Sequence, residues 1–563
     1  MAKAKPKQYS IGVDYGTNSV RALVVDVSNG KELGTHVFDY PSGTDGILLD
    51  KKDPNLARQS PADYIKGFIA SVKGALVASA KTRGFDAANV IGIGIDTTGS
   101  TVIPVQEDGT PLAMTKKFAK NLAAQAWLWK DHTAHEEAAI ITEKAKKSGE
   151  PYLAKCGGTY SSEWFWSKVW HCERTAPKVF DAAYSWVEAC DFIPAYITGT
   201  LDPLTMARGV TAAGHKAMYN DAWGGLPSKK FLRKLSPKMA ALRGRLFEKA
   251  LPADQVAGGL TPAMAKKVGL PAGVTVAVGS FDAHCGGVGS GIKEGTLVKI
   301  IGTSTCDMMV APGTRKLKDI PGVCGIVPGS IVPGMYGLEA GQSAVGDIFN
   351  WFVSNLCPPA FSTGDPHVAL SKVAKKLKPG ESGLVALDWN NGNRTILVDP
   401  LLTGLLVGQT LHTTAPEIYR ALVEATAFGA LTIINRFEEY GVKVREVVNC
   451  GGIAEKNAFV MQIYADVCNR PMKLSRSAQT CALGAAIFGA VAGGAYRTTG
   501  AAQRKMTGVK SKVYKPIKAN AKVYAELYKV YRALHDAFGT AGFKGKLDQA
   551  MKDLIAIRTK ARK

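Results

Sequence analysis

Two short segments, far apart in the chain, pair glycine with hydroxyl side chains in the same way: DYGTNSVR over Asp14–Arg21 and GTSTCD over Gly302–Asp307. Glycine lets a backbone approach a ligand closely, and Thr and Ser add donors, so turns of this kind cradle phosphate oxygens without a lysine. A third segment, NCGGIAEKN over Asn449–Asn457, sets paired glycines between a strand-like and a helix-like run, where a planar base can lie on open backbone. An ordinary tight turn accounts for any one of them. Three in this order favour a nucleotide gripped across a domain boundary.

The carboxylates fit that chemistry. Asp14 enters the first turn from a strand end, the place for a Mg²⁺ ion beside polyphosphate. Asp96 ends another strand in the same half. Asp282, in SFDAH, follows a glycine-rich turn and can accept a proton from a substrate hydroxyl; a helix N-cap is its competing role. Lys216 in AGHK and Glu339 in YGLEAGQSA stand among small residues, so they are either plain surface charges or groups that something approaches closely. Other mechanisms fall away. Gly286–Ile292 has the glycine spacing of a phosphate loop but no following lysine, GQSAVG misses the nucleophile-elbow spacing, and His132 and His135 are not in a zinc-peptidase arrangement.

The elements that must position these residues read as two related halves. Ile11–Asp26 and Leu297–Ala311 each place a Gly-Thr turn between two strand-like runs. Pro61–Ser79 has helical period and Val90–Ser100 is a buried strand running into a Gly-Ser loop; in the second half Ala415–Phe437 is helical and Val444–Gly452 strand-like. Strands alternating with helices argue for an α/β architecture. The Gly/Pro-rich stretch Gly269–His284 marks the junction, giving expected domains at 1–275 and 276–518 and a basic helical tail at 519–563, read as peripheral with few aromatic anchors.

Length and charge set the bounds. A chain of 563 residues implies at least two large domains. Its formal net charge is +23, but after residue 500 sixteen Lys/Arg face four Asp/Glu, so about half the excess lies in that last stretch. A solvated helical face explains that better than specific nucleic-acid binding, and a positive field also suits phosphate ligands. Ten cysteines without metal or redox spacing read as reduced thiols. With no secretory h-region and no apolar run long enough for a membrane span, the expected compartment is the cytoplasm.

The ordered set DYGTNSVR, GIGIDTTGST, WLWKDHTA, GTYSSEWFWSK, AGHK, WGGLP, FDAH, IGTSTCD, GLEAGQSA, CGGIAEKN and CALGAAIFGAV resembles the FGGY family of carbohydrate kinases, within it the branch that acts on ribulose, from about Ile11 to about Ala495. The resemblance implies an actin-like ATPase (ribonuclease H-like) fold, two related domains each with a mixed sheet flanked by helices, and a site in the cleft between them. It implies transfer of phosphate from MgATP to a sugar's primary hydroxyl, here O5 of L-ribulose in L-arabinose breakdown, with D-ribulose or another ketopentose or pentitol as alternatives. By matching positions, Asp282 is similar to the family's catalytic base. Thr17, Asn18, Arg21, Gly302, Thr303 and Ser304 match residues around the phosphates, and Gly451, Gly452 and Asn457 the adenosine side. Gly99, Ser100, Thr101, Lys216, Asp282 and Glu339 match the sugar contacts. The partners so implied are small molecules, with no membrane, and a homodimer is compatible. One departure stands out: the family's second signature follows its glycine with an aliphatic residue, whereas Gln409 follows Gly408 here. A reading from another class, a nucleotide-dependent regulatory protein with a polyanion-binding tail, stays open on sequence alone.

Overall fold

A computed structural model describes residues 7–545, 547 and 550–562. Two seven-stranded sheets form its core. In the first, Tyr9–Tyr15, Ser19–Asp26 and Glu32–Asp39 make an antiparallel meander, and Tyr9–Tyr15 runs parallel to Val90–Thr97, which is parallel in turn to Thr275–Ala277. The second repeats this plan. Thr296–Ile301, Thr305–Pro312 and Met335–Ala340 form the meander, Glu446–Cys450 pairs parallel with Thr296–Ile301, and Met472–Ser475 extends the parallel set. The paired hairpins read in the sequence are therefore the openings of two lobes of the same topology.

Helix Thr480–Ala492, at the end of the second lobe's repeat, crosses to lie on the first lobe's sheet, and glycines make that approach possible. A Cβ on Gly12 would stand 1.7 Å from the Ala482 carbonyl oxygen, and one on Gly94 1.8 Å from that of Ala485. The same helix meets Asp282–Gly289, where a Cβ on Gly484 would come within 1.8 Å of the Cys285 carbonyl oxygen. Backbone against backbone leaves no room for a side chain, so this helix pair joins the lobes closely.

Mostly between Val90–Thr97 and Thr275–Ala277, with Leu48–Leu49 and Ala57–Gln59 joining from before, the chain builds a further unit. A five-stranded sheet that includes Val102–Val105 and Ser185–Glu188 packs with helix Phe165–Thr175 around buried Trp127, Trp166 and Trp186. It forms a wall beside the first lobe's parallel strands.

Two expectations are corrected. The boundary set at 275/276 falls inside Thr275–Ala277, a strand of the first sheet, which is complete only after Ser280–Phe281 pairs with Asp96–Thr97. The tail is not peripheral. Helix Lys518–Gly539 buries Tyr524, Leu527, Val530, Tyr531, Leu534 and His535 against the second lobe. The Tyr524 hydroxyl donates to Glu424 at 2.8 Å, and the Tyr531 hydroxyl donates to Asp388 at 2.9 Å. Tyr524, Tyr528 and Tyr531 share one helical face at spacings of four and three, so the aromatic anchors were present in the sequence. At the departure noted above, Gly408 takes φ +97° and packs against the Gly383 carbonyl, while Glu417 completes a capping box with Thr414 on helix Ala415–Glu439.

Candidate active site

Three carboxylates gather at the carboxyl ends of neighbouring strands. Asp14 lies opposite Asp96 in the parallel register and opposite Arg21 across the hairpin. Ser280 pairs with Asp96, which brings Asp282, the first residue of helix Asp282–Gly289, into the same row. It is not the N-cap, a position Phe281 takes; Asp282 Oδ1 accepts from the Ala283 N–H at 2.6 Å.

Crowding buried acids disfavours their charged forms. Burial, then the charge of Asp14, pushes Asp282 up to about 7. Asp96 is pushed well above the usual carboxylate range by burial and by Asp14 and Asp282, and neither of its oxygens has a hydrogen-bond donor. Burial raises Asp14 as well, partly offset by Asp96 and Arg21. The buried Asp96 oxygens, with no donor among the described residues, and the Asp14 carboxylate beside them fit a hard divalent cation, so Asp14 with Asp96 beside it suits Mg²⁺.

Both glycine turns border this centre. Asp14 leads into the first. There the Trp129 indole N–H donates to Thr17 Oγ1 at 3.0 Å, the Gln59 amide donates to the Thr17 carbonyl at 2.7 Å, and Asn18 Nδ2 donates to the Asp45 carbonyl at 2.7 Å. The second turn, Gly302–Ser304, is braced by the start of helix Gly346–Leu356: the Val345 and Asp347 N–H groups donate to the Thr303 carbonyl and the Gly346 N–H to that of Gly302. Cys306, two residues beyond Ser304, feels the charges of Asp282 and Glu339. Gly451, at φ +96°, abuts the end of Thr296–Ile301, and a Cβ on Gly452 would meet nothing within 4 Å. Asn457 caps helix Ala458–Cys468 through its side chain. Gly302, Gly451 and Gly452 thus lie at the strand ends of the second lobe, with Asn457 at the start of the helix that follows.

On the other side of Asp282, Lys216 Nζ donates to Glu339 Oε1 at 2.9 Å and lies 5.3 Å from the Trp164 ring centroid and 5.8 Å from that of Phe281. Burial alone would raise Glu339, but the charge of Lys216 first, and at acid pH those of His215 and His284, outweigh it and hold the carboxylate well below its usual range. Lys216 and Glu339 both act on the Asp282 carboxylate, so the structure brings these three expected residues together.

The loop Gly99–Thr101 is placed differently from its neighbours. Ser100 and Thr101 are fully buried. The Ser100 hydroxyl donates to Glu188 Oε1, the Thr101 N–H donates to Glu188 Oε2 at 2.8 Å, and Lys168 Nζ donates to the Ser100 carbonyl at 2.8 Å. Their side chains support the loop. Gly99, which packs on the Phe281 ring where a Cβ would sit at 2.4 Å, is the partly exposed member. Sequence reasoning gave no role to Glu188, Lys168, His215 or His284; Arg394, a buried guanidinium whose charge acts on Cys306 and Cys324 near Glu339, was missed as well. Lys168 closes the GTYSSEWFWSK motif and the histidines sit inside AGHK and FDAH, so those three had a signal; Glu188 and Arg394 had none.

This arrangement, a donor-rich double hairpin with a raised carboxylate beside a Lys–Glu pair, can transfer a phosphoryl group to an alcohol. The model of the FGGY family's N-terminal domain matches residues 9–289, and that of its C-terminal domain residues 297–493. The chain belongs to the FGGY family of carbohydrate kinases. It is accordingly a phosphotransferase acting on a carbohydrate. Curated relatives include the ribulokinase of Halalkalibacterium halodurans, 42% identical with 98% of each chain covered, and that of Mycolicibacterium smegmatis, 41% identical over 94% of each. Among solved structures, xylulose kinase from Rhodospirillum rubrum superposes with a TM-score of 0.78 at 22% identity, covering 94% of this chain and 99% of that one. Plasmodium falciparum glycerol kinase with ADP superposes at 0.73 and 15% identity, covering 93% and 98%. These two share the FGGY kinase fold with this chain. Among the described residues no helix is long and apolar enough to cross a membrane.

Proposed function

We propose that this carbohydrate kinase transfers the γ-phosphoryl group of ATP to O5 of L-ribulose, giving L-ribulose 5-phosphate and ADP. The single observation that carries the mechanism is Asp282, a carboxylate raised to about 7 at the junction of the carboxylate row and the Lys216–Glu339 pair. A base with that affinity is matched to taking a hydroxyl proton near neutral pH. The choice of ribulose rests on the relatives that carry the name ribulokinase at about 42% identity over nearly the whole chain.

Asp282 takes the proton from the sugar hydroxyl as the oxygen bonds to phosphorus and the bond to ADP breaks; the proton later leaves to solvent. Phosphoryl transfer depends on positioning and charge neutralisation more than on covalent chemistry. Thr17, Asn18 and Arg21 on one hairpin and Gly302, Thr303 and Ser304 on the other surround the phosphates, while Gly451, Gly452 and Asn457 receive the adenosine. Asp14 would hold Mg²⁺, which neutralises phosphate oxygens when bound. Lys216 and Glu339 hydrogen-bond the other sugar hydroxyls and so select which carbon faces the phosphate. On this reading residues up to Phe281 supply most of the sugar side and the first phosphate hairpin, and those from Thr296 supply the nucleotide side together with Glu339. The reaction belongs to L-arabinose breakdown, and the ten free cysteines suit a reducing compartment such as the cytoplasm.

The test is a coupled ADP-release assay over L-ribulose, D-ribulose, D-xylulose and glycerol. The expected result is the highest kcat/KM with L-ribulose. Turnover on none of the ketopentoses, or a clear preference for glycerol, contradicts the proposal.

A further inference from the structure

Glu339 is held by groups of the first lobe from more than one side. Oε1 accepts from Lys216, whereas Oε2 has no hydrogen-bond donor of its own. Two imidazole nitrogens converge on that atom, His215 Nδ1 at 3.4 Å and His284 Nε2 at 3.7 Å. The two rings lie 4.7 Å apart and are each about 1% exposed. His215 is anchored at its far nitrogen, where Nε2 lies 3.0 Å from Ser330 Oγ, and Ser330 is tied in turn to Thr211. Among the described residues His284 has no hydrogen-bond partner at either nitrogen. A buried N–H without an acceptor bears its full desolvation cost, and Glu339 Oε2 is the anion both rings face.

The neighbouring strand is shaped to this contact. Gly325 pairs with Glu339 in the antiparallel register, and a Cβ there would stand 2.0 Å from His215 Nδ1. A side chain at 325 would push the ring off the carboxylate.

We propose that His215 and His284 are positioning residues that fix Glu339 through Oε2, so that Glu339 and Lys216 meet the sugar hydroxyls as one rigid pair. The inference rests on the sugar-kinase reading above. Burial lowers both histidines, His284 to about 4, so each is a neutral ring with one N–H. His284 places that proton on Nε2; His215 places it on Nδ1 when the Ser330 hydroxyl turns from the Val327 carbonyl, 3.1 Å away, to donate into Nε2. The three donor atoms also have the closeness of a metal site. A divalent ion there would sit against the Lys216 ammonium, which already occupies the same carboxylate, and that repulsion favours hydrogen bonding instead.

The experiment compares wild type with His284→Leu, His284→Gln and Gly325→Ala, measuring KM for the sugar and for ATP separately. Wild-type turnover on the ketopentose comes first, so failure of the function reading appears there and nowhere else. Removing the imidazole N–H that faces the charged Oε2 predicts a rise in sugar KM of about ten- to a hundredfold for His284→Leu, with the ATP KM within about twofold. His284→Gln, whose amide N–H reaches close to the place of Nε2, restores the sugar KM to within about threefold of wild type. Gly325→Ala, which leaves every histidine in place, raises it in the same direction as His284→Leu and decides the matter if the leucine variant does not fold. An active wild type with unmoved sugar KM in both His284→Leu and Gly325→Ala overturns the proposal. Equal impairment of the Leu and Gln variants also overturns it, since that is the mark of packing alone. One divalent metal ion per chain, retained by wild type and lost from His284→Leu, would replace it with a metal site.

Discussion

Replacing Asp282 by Asn keeps the shape of the side chain and removes its ability to accept a proton. As general base, Asp282 contributes about 10²- to 10⁴-fold to turnover, so kcat falls by that factor while the KM for ATP stays within about twofold. The same substitution has an opposite effect on stability. A carboxyl raised from 3.8 to about 7 on folding destabilises the native state by up to about 4 kcal/mol once the pH is above 7, and its partial exposure brings the real cost below that ceiling. The sign follows from proton uptake. Below about 7 the folded protein holds a proton that the unfolded chain releases until near 3.8, so the penalty shrinks as pH falls through this window. Asp282→Asn is therefore more stable than wild type in ligand-free protein at pH 8, and the advantage fades toward pH 4. Sugar-dependent ADP release and urea unfolding at the two pH values provide the measurements. Turnover within about threefold of wild type refutes the base, and a variant less stable than wild type at pH 8 refutes the buried-charge explanation.

Lys216→Met withdraws a charge that lowers Asp282, so the acid limb of kcat/KM, near pH 7 in wild type, moves to higher pH and the sugar KM rises; a limb that moves down contradicts the electrostatics. Gly484→Ala would gain about 1 kcal/mol in an exposed helix. Here its Cβ would lie 1.8 Å from the Cys285 carbonyl oxygen, so overpacking wins and the urea midpoint falls by the equivalent of about 1–3 kcal/mol or more. A chain ended after Ile517 loses Tyr524, Leu527, Val530, Tyr531 and Leu534 from the second core and leaves Asp388 and Glu424 without their tyrosine donors. At about 1.5–3 kcal/mol for each buried apolar side chain this exceeds the margin of a typical domain, so the expected outcome is insoluble protein, and a soluble active kinase would contradict the placement of the helix.

The parts of the site that depend on backbone shape were legible because few residue types satisfy them. The two Gly-Thr turns announced themselves by composition, and their recurrence disclosed the paired lobes before any sheet was known. Asp282 was readable from a local pattern, a glycine-rich turn leading into an acid. The partnership of Lys216 with Glu339 was not, because it joins residues 123 positions apart and exists only once helix Val210–Lys216 meets strand Met335–Ala340. Ser100 and Thr101 show the reverse case. The resemblance gave them to the sugar, but Glu188, with no signal of its own, takes the Ser100 hydroxyl and the Thr101 N–H, and the Thr98 carbonyl takes the Thr101 hydroxyl at 3.2 Å. The tail was misread from its charge: the twelve net positive charges after residue 500 drew attention from three tyrosines at helical spacing, and it is the tyrosine face that packs.

The most direct measurement is the structure of the product. Incubated with MgATP and L-ribulose, the protein should yield one ADP per sugar and a phosphomonoester whose ³¹P resonance couples to the protons on C5, with Asp282→Asn giving neither above trace. Phosphate on another carbon, ADP released without sugar phosphate, or an Asn variant that keeps pace with wild type would contradict the account.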